Sequence, residues 1–200
     1  MNSKFFTAKN VAILGILVAL VIVLQLFASA IPMFGITLNF SLIPIALAGI
    51  LLGWRGGAIV GFACGLVVWI TMAVLGQEVL TAYMFQTSPI VLTIICIGKT
   101  TIAGAVAGLI FKAISKKNLF IAVCVSALVL PVINTGIYLI GIALMKNAVI
   151  IKLGLNISSA TAVVGFIFGL IWLNFVLEVL LNVVFIPLIH RVIRVIGKVR

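Results

Sequence analysis

Six long apolar stretches, separated by short polar connections, constrain this chain more than any other feature of its sequence. A helix needs about 20 apolar residues to cross the hydrocarbon core of a bilayer. The 200 residues are 66% hydrophobic and only 8% charged, which is too little polar surface to cover a water-soluble domain of this size. The sequence therefore predicts an all-α integral membrane protein with six transmembrane helices in one bundle, and residues 1–200 form a single domain.

The predicted spans cover residues 11–31, 42–54, 57–75, 89–113, 119–145 and 160–190. The second span is unusually short and ends at the segment 54–57, where Trp, Arg and two Gly follow one another. Apolar and polar residues alternate from Ile36 to Ser41, and this period of two predicts a short extended loop after the first helix. Residues 76–88 are predicted to form a longer loop.

Basic residues are concentrated on one side of the predicted bundle, and this orients it. Cytoplasmic loops carry the excess of Lys and Arg, so the termini are expected inside the cell (N-in/C-in). The net charge of +11 is then explained by the orientation of the chain in the membrane and by attraction to anionic lipid headgroups of the bilayer. We therefore expect no nucleic-acid partner. Ten basic residues fall on the inner side and two on the outer side: Lys4, Lys9, Arg55, Lys112, Lys116, Lys117, Arg191, Arg194, Lys198 and Arg200, against Lys146 and Lys152.

The first apolar stretch also resembles a secretory signal peptide. Lys4 and Lys9 precede it, and Ala28-Ser29-Ala30 resembles a cleavage site. The stretch is longer than usual, however, and its removal would leave five spans with the charge bias on the wrong sides. We therefore expect it to be the first transmembrane helix.

Lys99 and Glu178 are the two ionisable side chains deep inside predicted spans. Each precedes the first charge beyond its own span by thirteen residues, which places both about 20 Å from the inner face at the rise of an α-helix. A lone charge at that depth is costly, so intramembrane charges are usually paired or functional. The sequence favours an intramembrane ion pair between Lys99 and Glu178, lying deeper than any bound solute. The alternative is direct contact of Lys99 with an anionic solute.

The sequence lacks the parts of known catalytic and metal centres. His190 is the single histidine, aspartate is absent, and the three cysteines lie singly in apolar spans. Gly98-Lys99-Thr100 resembles the end of a phosphate-binding loop, but Thr93 stands where that motif needs a glycine. We therefore expect no enzymatic activity, no catalytic residue, no cofactor and no metal.

Polar residues in the outer half of the spans point to a binding site for a small polar solute. Amides exposed to lipid are costly, so these side chains should face the interior of the bundle. Pro131 supports this, because it leaves a backbone carbonyl of the fifth span without its helical donor. The alternative is hydrogen bonding between helices alone. The predicted substrate-binding residues are Asn39, Trp69, Tyr83, Gln86, Asn134, Tyr138 and Asn174.

Small residues repeat at four-residue spacing in the inner half of three spans. Such spacing lets helix backbones approach closely. Most of these stripes are expected to serve packing within the chain, and those of the first and third spans are sufficient to serve an external helix as well. The stripes are Ala12, Gly15 and Ala19 in the first span; Gly57, Gly61 and Gly65 in the third; and Ala103 with Ala107 and Gly104 with Gly108 in the fourth.

Segments 12–19, 39–45, 49–61, 99–109, 131–136 and 174–182 together resemble the substrate-specificity (S) components of energy-coupling factor vitamin transporters. Trp69 in the third span and the Pro-x-x-Asn-Thr-Gly of residues 131–136 look closest to the pantothenate type. The first span departs from the family's usual Ala-x-x-x-Ala by having Gly15-x-x-x-Ala19.

The resemblance implies a six-helix subunit of a bacterial plasma membrane that captures a small water-soluble vitamin from outside. Its expected partners are a transmembrane scaffold (T) subunit, docked on Ala12, Gly15 and Ala19, and two cytosolic ATPase subunits. Uptake would follow from toppling of the bundle in the membrane. The alternative is a non-transporting membrane scaffold of the cell envelope. A self-sufficient secondary transporter is disfavoured, because the chain has only two carboxylates for ion coupling.

Overall fold

The computed structural model describes residues 5–30, 39–145 and 160–197. Within these ranges the chain is helical and contains no strand, in agreement with the predicted all-α membrane protein. Five helical stretches of the described residues are long and apolar enough to cross a membrane: Ala8–Ala28, Leu42–Val74, Pro89–Ile114, Leu119–Leu144 and Ile171–Ile193. The helices are α1 (Ala8–Ala30), α2 (Leu42–Val68, continued by the π-helical segment Trp69–Val74), α3 (Val79–Thr87), α4 (Pro89–Ile114), α5 (Leu119–Leu144) and α6 (Ala160–Gly197).

The helix α2 reverses direction at Gly53. This residue has φ 74° and ψ −171°, a backbone conformation outside the helical region that glycine adopts at little cost. A Cβ placed on Gly57 would lie 3.1 Å from the Cα of Gly49, whereas eight residues of straight helix span about 12 Å. The two arms of α2, 42–52 and 54–74, therefore lie side by side. This reversal falls next to the predicted boundary at 54–57.

Glycines bring α2 and α4 into direct backbone contact. A Cβ on Gly57 would overlap the carbonyl of Gly104, and one on Gly61 would overlap the carbonyl of Thr100. A Cβ on Gly108 would lie 2.6 Å from the backbone nitrogen of Trp54. We call the contact surface of Gly57, Gly61, Gly65, Gly104 and Gly108 the glycine interface. The predicted small-residue stripes of the third and fourth spans therefore pack against each other inside the chain.

Contacts at the helix ends place the described basic residues together. Ser41, just before α2, donates to the side chain of Gln25 in α1 at 3.0 Å, so α1 and the first arm of α2 are antiparallel. Phe120 at the start of α5 packs edge to face on His190 near the end of α6, with ring centroids 5.6 Å apart. The start of α1, the reversal of α2 and the connection of α4 to α5 lie at that same end. It carries Lys9, Arg55, Lys112, Lys116, Lys117 and Arg191, all exposed.

The predicted loop 76–88 contains the helix α3, so that prediction was wrong. Gly76 adopts φ 70° and turns the chain after the π-helical segment. Ser88 is not helical, as expected of a residue before a proline, and it separates α3 from α4. Between these breaks, Thr81 and Met84 lie one helical turn apart and are both buried, which anchors α3 on the bundle.

The predicted extended loop after the first helix lies mostly outside the described residues. Residues 36–38 are in the undescribed gap, and Phe40 and Ser41 form a turn rather than a strand. The backbone nitrogen of Leu42 donates to the carbonyl of Asn39 at 3.4 Å, and that of Ile43 donates to Phe40 at 3.3 Å. These bonds lead directly into the first turn of α2.

The small residues of α1 face away from the described part of the bundle. Ala12, Gly15 and Ala19 are all exposed, and a Cβ on Gly15 would meet nothing within 4 Å. The opposite face, with Leu14, Leu17 and Val21, is buried against the bundle. The stripe of the first span is therefore not used for packing among the described residues, unlike the glycine interface.

Candidate functional site

A polar cavity of about 90 Å³ lies in the half of the bundle away from the basic end. One water needs about 10–15 Å³ on the same measure, so the cavity has room for several heavy atoms of a solute. Every helix contributes to its wall, and polar side chains predominate. The lining residues are Gln25, Asn39, Val68, Met72, Glu78, Leu80, Lys99, Asn134, Thr135, Tyr138, Ile171, Asn174 and Glu178.

Lys99 of α4 supplies a cation at one side of this cavity. Its Nζ lies 4.6 Å from the ring centroid of Tyr138 in α5, a cation–π distance. Within the described residues, Lys99 has no carboxylate within 4.0 Å and no hydrogen-bond acceptor. The ammonium is therefore held by an aromatic face and keeps its hydrogen-bond donors unused.

A short chain of hydrogen bonds fixes the hydroxyl group of Tyr138. Its hydroxyl lies 2.9 Å from the Oγ1 of Thr81 in α3 and donates to the Oε1 of Glu78 at 3.4 Å. Thr81 in turn donates to the Oε2 of Glu78 at 2.7 Å. Glu78, half-buried at the start of α3, is thus bonded to the hydroxyl of the same tyrosine whose ring face contacts the ammonium of Lys99.

Glu178 of α6 supplies a carboxylate at another part of the wall. Asn174 donates to its Oε1 at 3.2 Å and Thr135 of α5 donates to its Oε2 at 3.5 Å. Asn182, one turn further along α6, donates to the backbone carbonyl of Glu178 at 2.8 Å. Glu178 is only 1% exposed, so these bonds satisfy a carboxylate that water does not reach freely. The described residues contain no cluster of three His, Cys, Asp or Glu that could hold a metal ion.

Three amides of the cavity wall have an unpartnered carbonyl oxygen. The Oδ1 atoms of Asn39, Asn134 and Asn174 are buried and accept no hydrogen bond from any residue that the structure describes. A buried polar atom without a partner is uncommon, because it loses its water bonds without replacement. These three atoms belong to residues that line one cavity, where either water or a polar solute could supply the missing donors.

The structure brings together most of the predicted site residues. Asn39, Asn134, Tyr138 and Asn174 line the cavity. Lys99 and Glu178 line it as well, so they do not lie below the polar cluster as expected from the sequence. Among the described residues no contact within 4.0 Å joins the ammonium of Lys99 to the carboxylate of Glu178, although the two groups interact electrostatically across the cavity, and the ammonium lies over the ring of Tyr138.

Three predicted residues lie outside the cavity lining: Trp69, Tyr83 and Gln86. Trp69 packs edge to face on Phe85 of α3, with ring centroids 6.1 Å apart, and its buried Nε1 has no acceptor in the described part of the chain. Tyr83 is half-buried on α3, and Gln86 is exposed there. The orientation of α3 therefore directs other side chains of the predicted loop, notably Glu78, toward the cavity.

Sequence reasoning missed Gln25, Glu78 and Thr135 as lining residues. Two of them carry a signal that could have identified them. Gln25 is the single amide within the apolar stretch of α1, and Glu78 is one of only two carboxylates in the chain. Thr135 gives no such signal, because threonines are common in transmembrane helices, where they bond to their own backbone.

The chain is similar over part of its length to a characterised transporter. It is 34% identical over 83 residues to the pantothenic acid transporter PanT of Lactococcus lactis subsp. cremoris (strain MG1363), a match that covers 40% of this chain and 41% of that protein. No family model and no solved structure matches the chain. The chain thus spans about two-fifths of the length of the transporter it matches.

Proposed function

We propose that this chain is the membrane-embedded substrate-binding subunit of an energy-coupling factor transporter and captures pantothenate. In this proposal α1, the two arms of α2, α4, α5 and α6 cross the bacterial plasma membrane six times, with both termini inside. The chain forms one domain, and the exposed basic end lies in the cytoplasm, as the excess of Lys and Arg favours. The cavity then opens toward the outside.

The single observation that carries the proposal is the ammonium of Lys99 in the cavity, with no carboxylate of the described residues within 4.0 Å of it. A charge without a direct ion-pair partner inside a membrane protein is costly, and functional sites are where such charges are retained. A carboxylate of a solute placed near Lys99 would supply the missing anion through a charge-assisted hydrogen bond.

Pantothenate fits the remaining polar groups of the cavity. It carries a carboxylate at one end, hydroxyl groups at the other and an amide between them. The carboxylate would lie against Lys99, and the hydroxyl and amide groups would pair with Glu178 and with the Oδ1 atoms of Asn134 and Asn174, which accept no hydrogen bond from a described residue. The partial similarity to PanT supports the same solute.

The proposed partners are a transmembrane scaffold subunit and two cytosolic ATPases. The outward face of α1 carries the exposed small residues Ala12, Gly15 and Ala19, and small residues at this spacing let a partner helix approach closely. In this division of labour the chain itself is not an enzyme, needs no cofactor and leaves ATP hydrolysis to its partners.

The test is a thermal-shift measurement on the purified full-length chain against a panel of water-soluble vitamins. A ligand at 100 times its dissociation constant stabilises the folded state by about 2.7 kcal/mol, which raises the melting temperature of a chain this size by roughly 5–10 °C. Pantothenate should give this shift, and unrelated vitamins such as thiamine and biotin should not. A shift with a different vitamin would change the proposed solute. Absence of any shift would favour the non-transporting membrane scaffold.

A further inference from the structure

Glu78 is the second carboxylate of the cavity wall, and it lies next to the cation site rather than beside Glu178. It bonds to the hydroxyl of Tyr138, whose ring carries the ammonium of Lys99. No hydrogen bond from Lys99 reaches Glu78 among the described residues. The carboxylate is therefore close enough to act on an anion at Lys99 without neutralising that ammonium through direct contact.

Two hydrogen bonds hold the Glu78 carboxylate in place. Thr81 donates to one oxygen at 2.7 Å, and Tyr138 donates to the other at 3.4 Å. Both partners are themselves fixed, because Thr81 is 2% exposed and Tyr138 packs against the core. A half-buried glutamate on an unrestrained loop would turn out to water, whereas this one is held facing the cavity.

The charges around the cavity then set a limit on its solute. One ammonium and two carboxylates face the same space. An anion that enters gains attraction from Lys99 but meets repulsion from Glu78, which acts at short range in a medium of low effective dielectric. Each additional negative charge on the solute adds repulsion, because Lys99 can pair with only one acidic group.

We propose that Glu78 is a specificity residue that excludes solutes with more than one negative charge from the cavity. This inference rests on the proposed function, since it assumes that a carboxylate binds at Lys99. It assigns Glu78 a role distinct from the predicted binding residues: Glu78 weakens binding of all anions and weakens binding of multiply charged anions most.

The experiment compares three probes that differ in charge, measured by titration calorimetry on the full-length protein in nanodiscs at low ionic strength and pH 7.5. Panthenol has an alcohol in place of the carboxylate, pantothenate has one negative charge, and 4′-phosphopantothenate adds a phosphate. The variant Glu78→Gln removes the charge; its amide oxygen accepts from one of the two hydroxyls of Thr81 and Tyr138, and its NH2 group can donate to the other. Gln77→Glu adds a charge on an exposed neighbouring residue and serves as the matched control.

Glu78→Gln should leave panthenol affinity unchanged, raise pantothenate affinity roughly tenfold and raise 4′-phosphopantothenate affinity by a larger factor, as expected for like charges several ångströms apart. Gln77→Glu should change none of the three by more than about twofold, since exposed charges are screened. Glu78→Ala tests the same point in case Gln alters the fold of α3.

An equal change for all three probes, or a loss of pantothenate affinity in both Glu78 variants, would overturn the inference and leave the proposed function intact. Such a loss would mean that Glu78 contacts the solute directly. A wild-type protein that binds neither panthenol nor pantothenate would overturn the proposed function, and the inference with it.

Discussion

Replacing Lys99 with methionine tests the proposed cation site. Methionine retains the length and apolar stem of lysine, so the wall beside Tyr138 stays filled while the charge is lost. A hydrogen bond to a charged group contributes about 1.5–3 kcal/mol, so pantothenate should bind roughly 10- to 150-fold more weakly. Panthenol lacks the carboxylate and should bind the variant and the wild type with the same affinity.

The same variant also separates two roles of Lys99 through its effect on stability. Removing one partner of a buried ion pair typically costs about 3–5 kcal/mol, because the other charge is left unpaired. Lys99 has no carboxylate within 4.0 Å among the described residues, so we expect Lys99→Met to change the free energy of unfolding much less than that. Glu178→Gln, alone and combined with Lys99→Met, completes a double-mutant cycle.

The assay is titration calorimetry with pantothenate and panthenol, alongside melting curves of each purified variant. Lys112→Met is the control, because it removes an exposed lysine from the same helix at the opposite end. Equal losses for both ligands would refute the assignment of the carboxylate to Lys99. A large loss of stability that Glu178→Gln rescues would instead establish the direct ion pair predicted from the sequence.

Three further outcomes are expected. Gly104→Ala should destabilise the protein by about 1–3 kcal/mol, because its Cβ overlaps the backbone of α2, whereas Gly98→Ala on the same helix meets nothing within 4 Å and should be neutral or stabilising in a melting curve. Gly15→Leu should abolish vitamin uptake by cells that express the partner subunits and leave ligand binding intact; normal uptake would place the docking face elsewhere. Asn134→Ala should weaken pantothenate binding by about 1–3 kcal/mol in calorimetry, while Ser126→Ala, another buried polar change on α5, should not; equal effects would point to a packing role.

Much of the fold could be predicted because the apolar signal is local. The spans predicted at 89–113 and 119–145 match Pro89–Ile114 and Leu119–Leu144 to within one residue, since proline and charged or polar residues end the apolar runs there. The reversal of α2 at Gly53 could be placed because Arg55 and the glycines around it interrupt the apolar run. The helix α3 was missed, because a nine-residue helix between Gly76 and Pro89 depends on burying Thr81 and Met84 against other helices.

The cavity was predictable where a polar residue interrupts an apolar span. Asn134 and Asn174 were found in this way, because an amide in lipid must face the interior. The partner of Lys99 was not predictable, since Tyr138 and Glu178 both line the cavity with it and only side-chain geometry decides between them. The placement of Glu78 at the cavity depends on the orientation of α3, which cannot be predicted from the local sequence.

The glycine interface has a consequence for selectivity. The carbonyl of Thr100, the residue after Lys99, is in contact with Gly61, so the backbone that carries the ammonium is fixed against α2 where the two helices approach most closely. A lysine on a mobile support could follow its anion, and the site would then accept acids of many lengths. When the backbone of the lysine and the tyrosine ring beside it are both fixed, the position of the ammonium is fixed as well. A solute then fits only if its carboxylate lies at the right distance from its hydrogen-bond donor groups. Under the proposed function, glycines that do not line the cavity would therefore contribute to discrimination among similar acids, and substitutions among them should alter which acid binds best.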